Sequence, residues 1–320
     1  MNIVLATDNN FVQHCGVAMV SVLSNNQDVT FYLLTEGLTQ ENVKLLNKLV
    51  HEYNGILNIC YVPSDIVKFF PMSKMASTHI SIATYYRLFI TSLLPESVAK
   101  AIYLDCDMVI RGSLEELWSI ELKDKALGVV YQDRCWSDKE KSWERLHIPR
   151  EKGYFNAGML LMNLDYLRRD NFQDRAVTFI NEHFDSIVSH DQDVLNALYY
   201  DNVKAVSSKW NCIGLFLLSN ITDFDIPSEF DYYKEVKSRS YYPVIIHFAS
   251  KPKPWEYGCF HKYRNEYYKY LSYTPWRNNK PKFNASKFLN DAIILNIKRW
   301  IKNKDKYHYI DKIKKRIYAK

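Results

Sequence analysis

The stretch Ala101-Ile102-Tyr103-Leu104-Asp105-Cys106-Asp107-Met108-Val109-Ile110 sets two carboxylates, two residues apart, inside an otherwise apolar run. The run reads as a buried strand, on which positions i and i+2 share a face. Neighbouring carboxylates repel each other and lose hydration when buried, so an apolar setting tolerates them poorly without a compensating cation. A divalent metal held at the carboxyl end of a central strand is the economical explanation. The alternative is a strand end with two solvated carboxylates, because Asp-x-Asp is short and recurs by chance. The apolar residues that lead into it favour the metal.

Outward from this stretch, the first hundred residues alternate strands with helices. Asn2–Ala6, Thr30–Leu34, Leu57–Val62 and Ala101–Leu104 read as strands, and Val12–Leu23, Gln40–Glu52 and Thr84–Leu93 as helices. In the second helix Leu45, Leu46, Leu49 and Val50 recur at helical spacing. This rhythm predicts an α/β chain built on a doubly wound, mostly parallel sheet with flanking helices. Ligands on such sheets bind at the carboxyl ends of the strands. Ala6-Thr7-Asp8-Asn9-Asn10, behind the first strand, and the Asp105/Asp107 pair are therefore the first two candidate sites. No Gly-x-Gly-x-x-Gly follows the first strand and no Gly-x-x-x-x-Gly-Lys occurs, which disfavours a dinucleotide site and a P-loop. Further on, Leu127–Tyr131, Gly158–Met162 and Val244–Phe248 read as strands, and Phe172–His183 and Asp191–Tyr199 as helices. Residues 1–275 are expected to form one domain, with 276–320 an appended tail.

Five other groups carry chemistry. His247 lies in the apolar run Val244-Ile245-Ile246-His247-Phe248. Alone it reads as a core histidine; beside Asp-x-Asp it completes an O/N set suited to Mn²⁺. Lys253, between Pro252 and Pro254, is either a phosphate-binding ammonium on a stiffened loop or a surface lysine. Arg87, after Thr84-Tyr85-Tyr86, is either a snorkelling arginine or an anion clamp. Asn156, between Gly153 and Gly158, offers a two-sided hydrogen bond or merely sits in a glycine turn before a strand. Asp191-Gln192-Asp193 opens a helix, where acids serve as caps or could bind sugar hydroxyls.

Composition sets outer bounds. The chain has 320 residues with 47% hydrophobic and 24% charged, enough for a large soluble core. The 15% aromatic share, with 24 Tyr, fits a protein presenting rings to sugars or membranes. Its six cysteines form no Cys-x-x-Cys pair, which indicates neither a zinc site nor a disulfide framework and favours a reducing compartment. The start Met1-Asn2-Ile3-Val4 resembles no signal peptide, and no run of about 18 apolar residues is present to span a bilayer. The net charge of +6 is uneven: residues 280–320 hold 13 Lys and Arg against 3 Asp, while the rest holds 29 basic and 33 acidic residues. Phe288, Leu289, Ala292, Ile293, Leu295, Ile297, Trp300 and Ile301 form an apolar helical stretch followed by lysine clusters. Such a tail is expected to lie on an anionic bilayer surface, or else to pack on the body with a solvated basic end. The acidic body argues against nucleic acid as a partner.

Taken in order, these motifs resemble the family 8 glycosyltransferases, retaining GT-A enzymes that use nucleotide sugars and Mn²⁺. The branch most resembled is the bacterial lipopolysaccharide α-galactosyl- and α-glucosyltransferases, and the likeness covers about residues 1–260. It implies Asp105, Asp107 and His247 as metal ligands. It implies Ala6, Asp8 and Asn10 at the uridine and ribose of a UDP-galactose or UDP-glucose donor, Arg87 at the donor and Lys253 at the diphosphate. Asn156, Asp191 and Gln192 would surround the transferred sugar, with Asp133, or Gln132 in another register, as a further contact. Ser250 departs from the glycine these enzymes often carry there. The activity implied is transfer of a hexose to a lipopolysaccharide or other surface glycan, by a cytoplasmic chain held peripherally at the inner membrane. The competing readings are a non-catalytic sugar-nucleotide or glycan-binding protein, and a self-glucosylating, glycogen-priming enzyme.

Overall fold

The computed structural model describes residues 1–63, 82–132, 137, 140–213, 232–238 and 240–279. Residues 1–250 and 262–278 form one compact unit, and residues 251–261 belong to a second. In the first, apolar runs of five or six residues build strands β1 (Asn2–Ala6), β2 (Thr30–Thr35), β3 (Ile56–Tyr61) and β4 (Lys100–Leu104). They pair in parallel, in the order β3-β2-β1-β4. After β5 (Met108–Ile110) come β6 (Leu127–Tyr131) and β7 (Phe155–Asn163). β7 runs antiparallel to both β4 and β6, and β8 (Val203–Ala205) closes the seven-stranded sheet parallel to β6. The expected doubly wound, mostly parallel sheet is present, with one strand reversed at its centre. Helix Val12–Leu23 has nearly every side chain buried, which explains its apolar composition on all faces.

Three local expectations are corrected. First, Asp105 and Asp107 do not stand on one strand. The chain leaves the large sheet at Leu104, turns through residues 105–107, and enters a separate three-stranded sheet, β5-β10-β9, at Met108. The turn resolves the conflict between two acids and a buried strand by bringing the carboxylates to a sheet edge. In the small sheet β10 (Ile245–His247) pairs antiparallel with β5 and parallel with β9 (Cys212–Ile213). Second, Thr84–Leu93 is not one α-helix: residues Ile82–Phe89 form a 3₁₀ helix, followed by a single α-turn, Ile90–Leu93. Three residues per turn align Thr84 with Arg87, whose Nε donates to the Thr84 carbonyl at 3.2 Å. Third, β7 begins at Phe155 rather than Gly158, because Phe155 and Asn156 pair with Tyr131 and Val130. The last pair between β4 and β7 is Leu104 with Met159, so residues 155–158 project beyond β4.

Candidate active site

The site is built where β4 ends and β7 projects past it. Asp105, held by its backbone N–H on the Gly158 carbonyl at 2.9 Å, faces Asp107 across the turn. β10 brings His247 to the same place from the small sheet. Its Nε2 lies 3.3 Å from Asp107 Oδ1 and 3.9 Å from Asp105 Oδ2. One ligand atom from each of the three residues falls within 4.8 Å of the others. His247 Nδ1 points the other way and is hydrogen-bonded at 2.9 Å to Asn211 Oδ1. Two carboxylates and an imidazole with its far nitrogen anchored are a donor set that could hold a divalent cation. The Gly158 position is close to all of this. A Cβ there would come within 2.4 Å of His247 Cε1 and 2.9 Å of Asp105 Oδ2, so no side chain is tolerated.

Arg87 is buried and contacts protein on every nitrogen. Nη2 donates to Asp105 Oδ1 at 2.6 Å, Nη1 to the Ala157 carbonyl at 2.5 Å, and Nε lies 2.8 Å from Asp191 Oδ2. The guanidinium stacks 4.2 Å from the centre of the Tyr103 ring, and Tyr103 donates its hydroxyl to Asp105 Oδ1 at 3.2 Å. Arg87 is thus not a snorkelling residue; it clamps two carboxylates and ties Asp105 to Asp191. Burial pushes the Asp191 carboxyl up to about 7, Arg87 opposing and Asp105 reinforcing the shift. An ion pair at 2.8 Å would be expected to hold that value down. Burial prevails because one guanidinium is divided between two carboxylates.

Helix His190–Tyr199 packs on β7 and supplies Asp191, Gln192 and Asp193. Gln192 Oε1 accepts from Asn156 Nδ2 and from the Ala157 N–H, each at 3.0 Å. Gln192 Nε2 donates to the Tyr154 hydroxyl at 3.2 Å, which in turn donates to Asp193 Oδ1 at 2.6 Å. Burial and then the adjacent Asp193 raise the Tyr154 phenol, keeping its proton in place. Asp193 is wholly buried and satisfied by Arg145 and by the N–H groups of Val188 and Ser189. It serves the helix start, as the capping reading expects, while Asp191 and Gln192 reach the site.

Asp8 lies in the turn after β1, where its Oδ1 accepts from the N–H groups of Asn10 and Phe11 at 2.8 and 3.0 Å. The Ala6 carbonyl accepts from Cys106 Sγ at 3.2 Å, which sets the β1 turn beside the carboxylate turn. Asn10 is exposed there. Gln132 follows β6 and donates its N–H to the Tyr154 carbonyl at 2.8 Å, whereas Asp133 lies outside the described residues. Lys253 belongs to the second unit, where its N–H donates to Glu256 Oε2 at 2.9 Å. Sequence reading missed Asn211, Tyr103 and Tyr154. Asn211 carried one faint signal: an amide between buried Trp210 and Cys212 must find a partner.

The model of glycosyl transferase family 8 matches residues 2–259. General stress protein A of Bacillus subtilis is 29% identical over 282 residues, covering 86% of this chain and 94% of that protein. Lipopolysaccharide 1,2-glucosyltransferase of Escherichia coli is 29% identical over 295 residues, covering 87% and 79%. Among solved structures, galactosyltransferase LgtC in complex with donor and acceptor sugar analogs superposes with a TM-score of 0.75 at 25% identity. That match covers 87% of this chain and 100% of LgtC.

Proposed function

Because this chain belongs to glycosyl transferase family 8 and is a glycosyltransferase, we propose that it moves galactose or glucose from a UDP-sugar to a surface-glycan hydroxyl with retention of α configuration. The acceptor class, lipopolysaccharide or a related lipid-linked glycan, follows from the relatives and from the basic tail 276–320. The observation that carries the reading is His247 Nε2 facing Asp105 and Asp107 beside the Asn156–Gln192 amide pair. Asp105, Asp107 and His247 would hold Mn²⁺, which when bound supplies Lewis acidity to the departing diphosphate. Ala6, Asp8 and Asn10 shape the turn assigned to the uridine and ribose, and Asp133 and Lys253 take their sugar and diphosphate roles from the resemblance alone. Arg87 adds fixed positive charge behind Asp105.

Retention requires a covalent intermediate or same-face attack. Both acceptor positions of Gln192 Oε1 are engaged by N–H donors, which leaves no lone pair to attack an anomeric carbon. This favours same-face attack, with the leaving phosphate accepting the acceptor's proton. Asn156, Gln192 and Asp191 then orient the sugar and stabilise developing positive charge. The test is UDP release from UDP-galactose and UDP-glucose, with Mn²⁺ and with EDTA. Release from one donor, lost with EDTA, is expected; equal release with EDTA, or none from either donor by folded protein, would overturn the reading.

A further inference from the structure

His247 can ligate a cation through Nε2 only if its one proton, in the neutral ring, sits on Nδ1. The structure assigns that choice to Asn211, whose orientation is in turn dictated by the backbone of β7. The inference rests on the metal reading above and concerns a residue outside it. Gly158 N–H, a group that can only donate, points at one side-chain atom of Asn156 at 3.0 Å, so that atom is the oxygen. The same oxygen meets one side-chain atom of Asn211 at 2.8 Å, so that atom is the nitrogen. The other end of the Asn211 amide is then its oxygen, and it faces His247 Nδ1 at 2.9 Å. An amide oxygen accepts and cannot donate; Nδ1 must carry a proton, which leaves Nε2 as the nitrogen that a cation held by Asp105 and Asp107 would take.

Burial makes the relay directive. Asn156, Asn211 and His247 are 7%, 0% and 4% exposed, so no water-filled alternative is open to a reversed amide. The relay also explains the shape of β7: residues 155–158 project past β4, which frees the Gly158 N–H to begin it. The opposite end of Asn156, its Nδ2, donates to Gln192 Oε1. One backbone N–H therefore orients both the histidine of the metal cluster and the amide assigned to the sugar. Asn211 is a positioning residue, acting through His247.

The test is ¹H–¹⁵N NMR of the metal-free full chain labelled on histidine, with His247 assigned by its disappearance in His247→Gln. The expected spectrum shows a proton on His247 Nδ1 in the wild type, with or without a second on Nε2 beside the two carboxylates, and a population with Nδ1 bare in Asn211→Leu. A wild-type Nε2–H tautomer, or an unchanged population in Asn211→Leu, would overturn the assignment; the wild-type spectrum alone decides if the variant fails to fold. Mn²⁺ binding by electron paramagnetic resonance should weaken about 10- to 100-fold in Asn211→Leu, as for other groups that orient a ligand from behind. A wild type with the Nδ1–H tautomer that binds no Mn²⁺ overturns the metal reading and leaves the tautomer assignment standing.

Discussion

Arg87 and Asp191 show most plainly how single residues hold this site. With a side chain 5% exposed, Arg87 neutralises an acid on each side. Arg87→Leu would strand Asp105 and Asp191 without a counter-charge, at a cost of about 3–5 kcal/mol; the denaturation midpoint should fall accordingly. Asp191 gives a pH dependence of defined sign. Its folded value of about 7 exceeds the ordinary 3.8, so the folded chain binds the extra proton. That contribution is fully present below the ordinary value and is lost as pH rises through about 7. Denaturation across that window should show wild type losing stability relative to Asp191→Asn as pH increases. These residues were legible in the sequence as types, an acid and an arginine near a candidate site. Their pairing was not, because Arg87, Asp105 and Asp191 come from three elements that only the fold brings together.

Among elements, β7 and helix His190–Tyr199 form the frame shared by Asn156, Asp191 and Gln192, the residues proposed to surround the sugar. Asn196 clamps them: its Oδ1 accepts from Phe155 N–H at 2.8 Å, and its Nδ2 donates to the Phe155 carbonyl at 2.9 Å. Asn196→Ala leaves buried backbone groups unpartnered, and each such group costs about 1–3 kcal/mol. A thermal or denaturant midpoint lowered to match, with the Asn156–Gln192 pair loosened, is expected. Strands and most helices were readable because buried runs keep the period of the element they form. Two elements were not. The 3₁₀ helix Ile82–Phe89 has the apolar spacing of an α-helix, and its tighter backbone turn leaves no separate mark in the sequence. The small sheet joins β5, β9 and β10 from distant parts of the chain, and nothing local announces such a pairing. Asn211 was hidden for the same reason: its importance comes from lying next to β9, whose neighbour is β10.

For the whole molecule, the ordered set of motifs proved more informative than any one of them. Asp-x-Asp, an apolar-flanked histidine and an acidic helix start are each ordinary, and the fold converts them into one cluster at a sheet edge. The tail 280–320 lies outside the described residues, and no described helix is long and apolar enough to cross a membrane. Its 13 basic residues predict that a chain ending at residue 279 loses binding to anionic vesicles while still hydrolysing donor in solution. Vesicle sedimentation of both forms checks this. The central claim is that Asp105, Asp107 and His247 together hold the cation on which donor cleavage depends. Its most direct measurement is titration of Mn²⁺, followed by electron paramagnetic resonance, into wild type, Asp107→Asn and His247→Gln, with UDP present. Saturable binding by wild type, weakened at least about tenfold in each variant, is the expected result; wild-type affinity retained in both folded variants would contradict it.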